Sequence, residues 1–238
     1  SLHDALPIYM WISRIPVPVE INASAHADDD FSKNKSIAEL TDWNIYSPVW
    51  APVSLEDQWL KLQDKDPFDY AKVERKIPAS KELKVSFDLK AGQNNKGTLQ
   101  IEFLDENGIA CSRIELTDDG IFRLKGGSRF ANMMKYEAGK IYHVEAVLST
   151  VDRNIQVYVD GKRVGLRMFY APVAAVERIV FRTGVPRTFP TVDTPADQTY
   201  DLPNAGAQDP LAEYGIANVK TSSTDKDASS AFLKYADF

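Results

Sequence analysis

Residues 136–164 read YEAGKIYHVEAVLSTVDRNIQVYVDGKRV. From Ile141 to Ser149, Tyr142, Val144, Ala146 and Leu148 alternate with His143, Glu145 and Val147. From Asn154 to Asp160, Ile155, Val157 and Val159 alternate with Gln156, Tyr158 and Asp160. Period-two alternation over this length predicts two antiparallel strands with one buried face and one wet face. Asp160-Gly161 then supplies the positive-φ positions of a tight turn into Lys162-Arg163-Val164.

The same periodicity spreads outward. It predicts strands at 59–63, 70–77, 83–91, 98–104, 109–117, 121–125, 176–182 and 213–221. The clearest is 83–91, with Leu83, Val85, Phe87, Leu89 and Ala91 inward and Lys84, Ser86, Asp88 and Lys90 outward. In the strand at 70–77, Ala71, Val73 and Arg75 share a side. Asp105-Glu106-Asn107-Gly108 and Asp118-Asp119-Gly120 are turn sequences. No helical period lasts more than about ten residues, and about eleven to thirteen strands are expected. The expectation is an all-β protein: an antiparallel two-sheet jelly-roll sandwich.

Gly139-Lys140-Ile141-Tyr142-His143-Val144, followed by a strand ending in Val159-Asp160-Gly161-Lys162, resembles the laminin G-like and concanavalin A-like sandwiches of extracellular proteins. The run MWISRIPVPV at 10–19 resembles the last strand and exit of the sialidase-like (BNR-repeat) propellers of bacterial carbohydrate-active proteins. Residues 1–19 are then a lead-in and the end of an upstream propeller, or else a first strand of the sandwich. The opening SLHDALPIY is out of character with the rest of the chain and resembles read-through of adapter sequence in a metagenomic gene fragment. That would place the natural start, and any export signal, further upstream. Residues 20–40 read as a linker, 41–221 as the sandwich and 222–238 as a polar tail. The resemblance implies a non-catalytic, monomeric accessory domain, secreted or periplasmic, whose work is packing on a catalytic propeller, helping to shape its substrate cleft, or weak glycan binding.

Composition narrows the alternatives. The 238 residues carry 28 Lys+Arg against 34 Asp+Glu, a net charge of −6, which gives no electrostatic support to non-specific nucleic-acid binding. A single cysteine, Cys111, excludes an intrachain disulfide and reads as a small core or edge residue. No apolar run is long enough to cross a membrane as a helix. The 183–209 stretch, TGVPRTFPTVDTPADQTYDLPNAGAQD, is a long irregular insert of the kind that is functional or disordered.

Catalytic spacing is weak. Glu102, Asp105 and Glu106 do not keep the interval of a jelly-roll glucanase pair, and Asp105-Glu106 falls in a turn. Tyr136, Tyr142, His143 and Arg113 include the residue types of a lyase centre, without a lyase motif. The three histidines, His3, His26 and His143, are too dispersed for zinc. Asp64, Asp66 and Asp69 offer three hard oxygens within six residues, so either they hold a structural calcium or they cap a turn. The run Asp28-Asp29-Asp30 reads as solvated charge. No other cofactor is expected. Glycan binding needs exposed aromatic faces, and the candidates are Tyr158, Tyr170 and Trp50. A jelly-roll glycoside hydrolase or polysaccharide lyase, and a protein-binding adhesion module, are the alternative readings.

Overall fold

The computed structural model describes residues 25–67, 69–184 and 207–223. Its strands are β1 (Asp28–Asp29), β2 (Trp43–Tyr46), β3 (Val53–Glu56), β4 (Trp59–Asp64) and β5 (Lys72–Ser80). They continue with β6 (Glu82–Ala91), β7 (Leu99–Leu104), β8 (Ala110–Leu116), β9 (Ile121–Gly126) and β10 (Arg129–Lys135). The last five are β11 (Ile141–Ser149), β12 (Asn154–Val159), β13 (Lys162–Met168), β14 (Val176–Thr183) and β15 (Ala212–Ser223). No helix among the described residues is long and apolar enough to cross a membrane.

The strands form two antiparallel sheets, as the alternation predicts. The first runs β13-β12-β11-β6-β15-β4-β3, with β1 added to β15. The second runs β10-β9-β8-β7-β14-β5-β2. In the first sheet Val144 lies opposite Phe87 and Val159, and Leu148 opposite Leu83 and Ile155, so the apolar halves of three strands share one face. In the second, Ile101 faces Ile114 and Phe181 across its ladders. The two apolar faces meet: Phe87 of β6 packs edge-on to Phe181 of β14, centroids 5.1 Å apart at 88°. Each such fully buried ring stabilises the fold by about 1.5–3 kcal/mol.

Three boundaries differ from expectation by two residues or more, each for a physical reason. The strand expected at 70–77 runs from Lys72 to Ser80, through Pro78. Proline costs no ladder bond there, because β2 pairs β5 only over 72–75 and the β5–β14 register shifts between Lys76 and Ser80. The segment expected as a linker at 20–40 belongs to the sandwich from Ala27 onward. Asp28 and Asp29 pair with Lys220 and Val219, and Phe31 is 2% exposed, its ring 5.8 Å from that of Trp43. Short apolar residues among polar ones give no periodicity to detect. Ser222 and Ser223, expected in the tail, end β15 opposite Lys84 and Leu83. The strand expected at 10–19, the rest of the tail and the body of the 183–209 insert lie outside the described residues.

Candidate functional site

The residues proposed for a lyase centre separate. Tyr136 and Tyr142 turn inward, both edge-on to Phe122 at 5.6 and 5.7 Å. The Tyr136 hydroxyl donates to the Thr117 carbonyl at 2.7 Å, and burial pushes its pKa up to about 12. His143 lies on the solvent face of the first sheet, its Nδ1 2.8 Å from Asp88 Oδ1, and Asn218 Nδ2 donates to the other Asp88 oxygen at 2.7 Å. Arg113 lies on the solvent face of the second sheet, ion-paired with Glu102 at 2.5 Å. Asp105 caps its own turn, accepting from the Asn107 and Ile109 amides at 2.9 and 2.8 Å. Cys111 is buried, and desolvation pushes its thiol up to about 12, which leaves it no thiolate at neutral pH.

The acidic run does turn chemistry. Asp64 Oδ1 accepts from the Asp66 amide, and Asp66 Oδ1 from the Asp69 amide, both at 2.9 Å. Asp69 accepts from the Tyr70 amide and, at 2.8 Å, from the Tyr46 hydroxyl. Among the described residues no group of three metal-ligating side chains converges.

The three aromatic candidates lie in three places. Tyr158 is half-buried on the solvent face of the first sheet, opposite Glu145 and Arg163, and its hydroxyl donates to Gln156 Oε1 at 3.0 Å. Trp50 is half-buried in the β2–β3 loop, its carbonyl accepting the Lys65 amide at 2.9 Å. Tyr170 lies against the second sheet, its amide on the Cys111 carbonyl at 3.0 Å. Lys125 Nζ sits 4.7 Å above its ring, and Arg113 stands at 5.9 Å. The same lysine is 5.5 Å from the ring of Phe130, which is 39% exposed.

Beside Phe130 the sandwich has an open flank that the sequence did not announce. The edge strands β10 and β13, from opposite sheets, approach there and leave a groove of about 320 Å³. Leu124, Met133 and Gly165 line it together with Asn132, Arg163 and Arg167. Two glycines permit the approach. A Cβ on Gly165 would fall 2.6 Å from Met133 Sδ and 3.0 Å from Leu124 Cδ2, and one on Gly126 would fall 2.7 Å from Arg167 Cβ. The groove combines an apolar lining, an amide and two guanidinium groups, the mixture that small-molecule sites present.

Fold and flank define a β-sandwich of the jelly-roll class. Within that class the chain belongs to the sialidase-like CBM domain family, whose model matches residues 43–198. It is 85% identical to a solved sialidase, with a TM-score of 0.87, over 93% of this chain and 21% of that one; it thus spans about a fifth of the sialidase's length. A structure from work on endo-acting O-glycanases of the human gut microbiota shares 12% identity, with a TM-score of 0.58, over 82% of this chain and 97% of that one. The apo Crh5 transglycosylase also shares 12% at a TM-score of 0.58, over 86% and 85%. At such identity these last two show the fold alone. Among curated proteins none matches the chain.

Proposed function

We propose that this chain is a non-catalytic, glycan-binding accessory domain of a secreted or periplasmic bacterial sialidase-type protein, in which it packs on the catalytic propeller. The observation that carries the reading is family membership: 43–198 match a sialidase-like carbohydrate-binding domain, and a sialidase of which the chain covers 21% contains a segment 85% identical. Support comes from the dispersal of the lyase-type residues to opposite faces, while the β10–β13 flank stays open.

The test is retention of the 238-residue chain on a panel of immobilised glycans, with product analysis of the flow-through. Binding without turnover is expected. Cleavage of a glycan, abolished by one point substitution, would replace this reading with that of an enzyme. Retention on no glycan would leave a purely structural partner of the propeller.

A further inference from the structure

The strands around the flank carry one sign of charge. β9, β10 and β13 together hold Arg123, Lys125, Arg129, Lys135, Lys162, Arg163 and Arg167, and not one Asp or Glu. That is seven of the 28 basic residues, and none of the 34 acidic ones, in a chain of net charge −6. Arg75 is neutralised by Asp29, Arg113 by Glu102, Arg178 by Glu74 and, on β9 itself, Arg123 by Asp119. Among the described residues Arg129, Arg163 and Arg167 have no carboxylate partner; Arg167 donates only to the neighbouring Leu166 carbonyl, at 2.8 Å. Unpaired guanidinium groups clustered on one flank create a field that is selective for anions.

We infer that the β10–β13 groove binds the carboxylate-bearing sugar of an acidic glycan. This rests on the glycan-binding reading above and adds the class of ligand and the place. The planar fork of Arg163 or Arg167 matches a carboxylate with two parallel hydrogen bonds. Asn132 offers a donor and an acceptor to ring hydroxyls. Met133, Val164 and Leu166 supply the apolar surface against which a sugar's C–H face lies. The volume is near the lower end, about 300 Å³, of small-ligand pockets, which suits one or two sugar rings rather than a long chain.

The test is calorimetric titration of the full chain with sialyllactose and with lactose at physiological salt, alongside R163A/R167A and R163K/R167K. Sialyllactose should bind at least about tenfold more tightly than lactose, and R163A/R167A should lose that advantage, as expected when charge-assisted bonds are removed. R163K/R167K, which keeps the charge and loses the fork, should fall between. Unchanged thermal midpoints establish that both variants fold. Equal affinity for lactose and sialyllactose, or full affinity in R163A/R167A, overturns the inference and leaves glycan binding standing. Stronger capture by dextran sulfate or by an oligonucleotide than by sialyllactose also overturns it, showing a general polyanion surface. Binding to no glycan in the panel removes both readings together.

Discussion

Arg75 Nε lies 2.8 Å from Asp29 Oδ2, and this contact fastens the two sheets to each other. Asp29 is on β1 in the first sheet and Arg75 on β5 in the second. Arg75 is 3% exposed, and the Trp43 indole N–H donates to the same carboxylate oxygen at 3.0 Å. Breaking a buried pair from one side leaves the other charge uncompensated, at about 3–5 kcal/mol. Asp42, 3.6 Å from Arg75 Nη2, offers partial relief. D29A should therefore lose about 2–4 kcal/mol, and R75M less, because Asp29 is nearer solvent and can rehydrate. Calorimetry decides: a D29A midpoint within about a degree of the parent would show the pair contributes nothing.

Gly97 is the position where any side chain should be most damaging. Its φ is +67°, and a Cβ there would fall 2.3 Å from Ala212 Cβ, at the start of β15. The left-handed conformation costs a non-glycine residue about 1–2 kcal/mol, and overpacking against a fixed methyl about 1–3 more. G97A should lower stability by about 2–4 kcal/mol. G108A, at φ +82° with nothing within 4 Å of the new methyl, should cost only the conformational part. Equal denaturant midpoints for the two variants would remove the steric argument.

Asp64 gives a pH dependence with a definite sign. Burial raises its pKa, assisted by the nearby Asp66 and Asp209 charges and opposed by the Thr183 hydroxyl and the Asp66 amide. A carboxyl with a raised folded-state pKa binds its proton more tightly when folded. Its contribution is therefore largest when protonated, falls as pH rises from the ordinary carboxylate value to the raised one, and is level above. D64N cannot ionise, so the difference in midpoint between D64N and the parent should move in favour of D64N across that window. A difference that stays flat with pH would show that Asp64 titrates normally, and one that moves the other way that folding lowers its pKa.

Tyr170 separates packing from hydrogen bonding. Its ring carries Lys125 and Arg113, while its buried hydroxyl has no hydrogen-bond partner among the described residues. Y170F should be within about 0.5 kcal/mol of the parent, because no bond is lost. Y170A should lose about 2–4 kcal/mol of ring burial and cation–π attraction. If Tyr170 is instead a sugar platform, Y170A will abolish glycan retention at unchanged stability.

Much of the frame is legible because burial on one side writes itself into a strand. Ile141–Ser149 has the bounds that its alternation implies, and the expected 83–91 strand extends by one residue to Glu82. Alternation groups Arg75 with Ala71 and Val73 on the inner side, although nothing in its neighbourhood names Asp29 as the partner. It gives no sign of β10, and it shows β13 only as the residues after a turn. Both are edge strands that bury little on either side, so their apolar residues follow no period. The groove is illegible for the same reason: its walls come from strands about thirty residues apart in sequence, joined only by closure of the sandwich. One signal is present, the basic bias of 121–135 and 162–168 without a single acid, and charge counted along the strands exposes it.

The position of β15 has a consequence for how the molecule is made. It lies between β4 and β6 and also carries β1, so three parts of the first sheet are joined only through residues 212–223. While a ribosome is still adding the residues that precede Ala212, β4 and β6 each present an unpaired backbone edge with no mate yet synthesised. Such long-range closure is slow and exposes sticky intermediates, so a nascent chain of this domain is most open to aggregation before β15 has emerged.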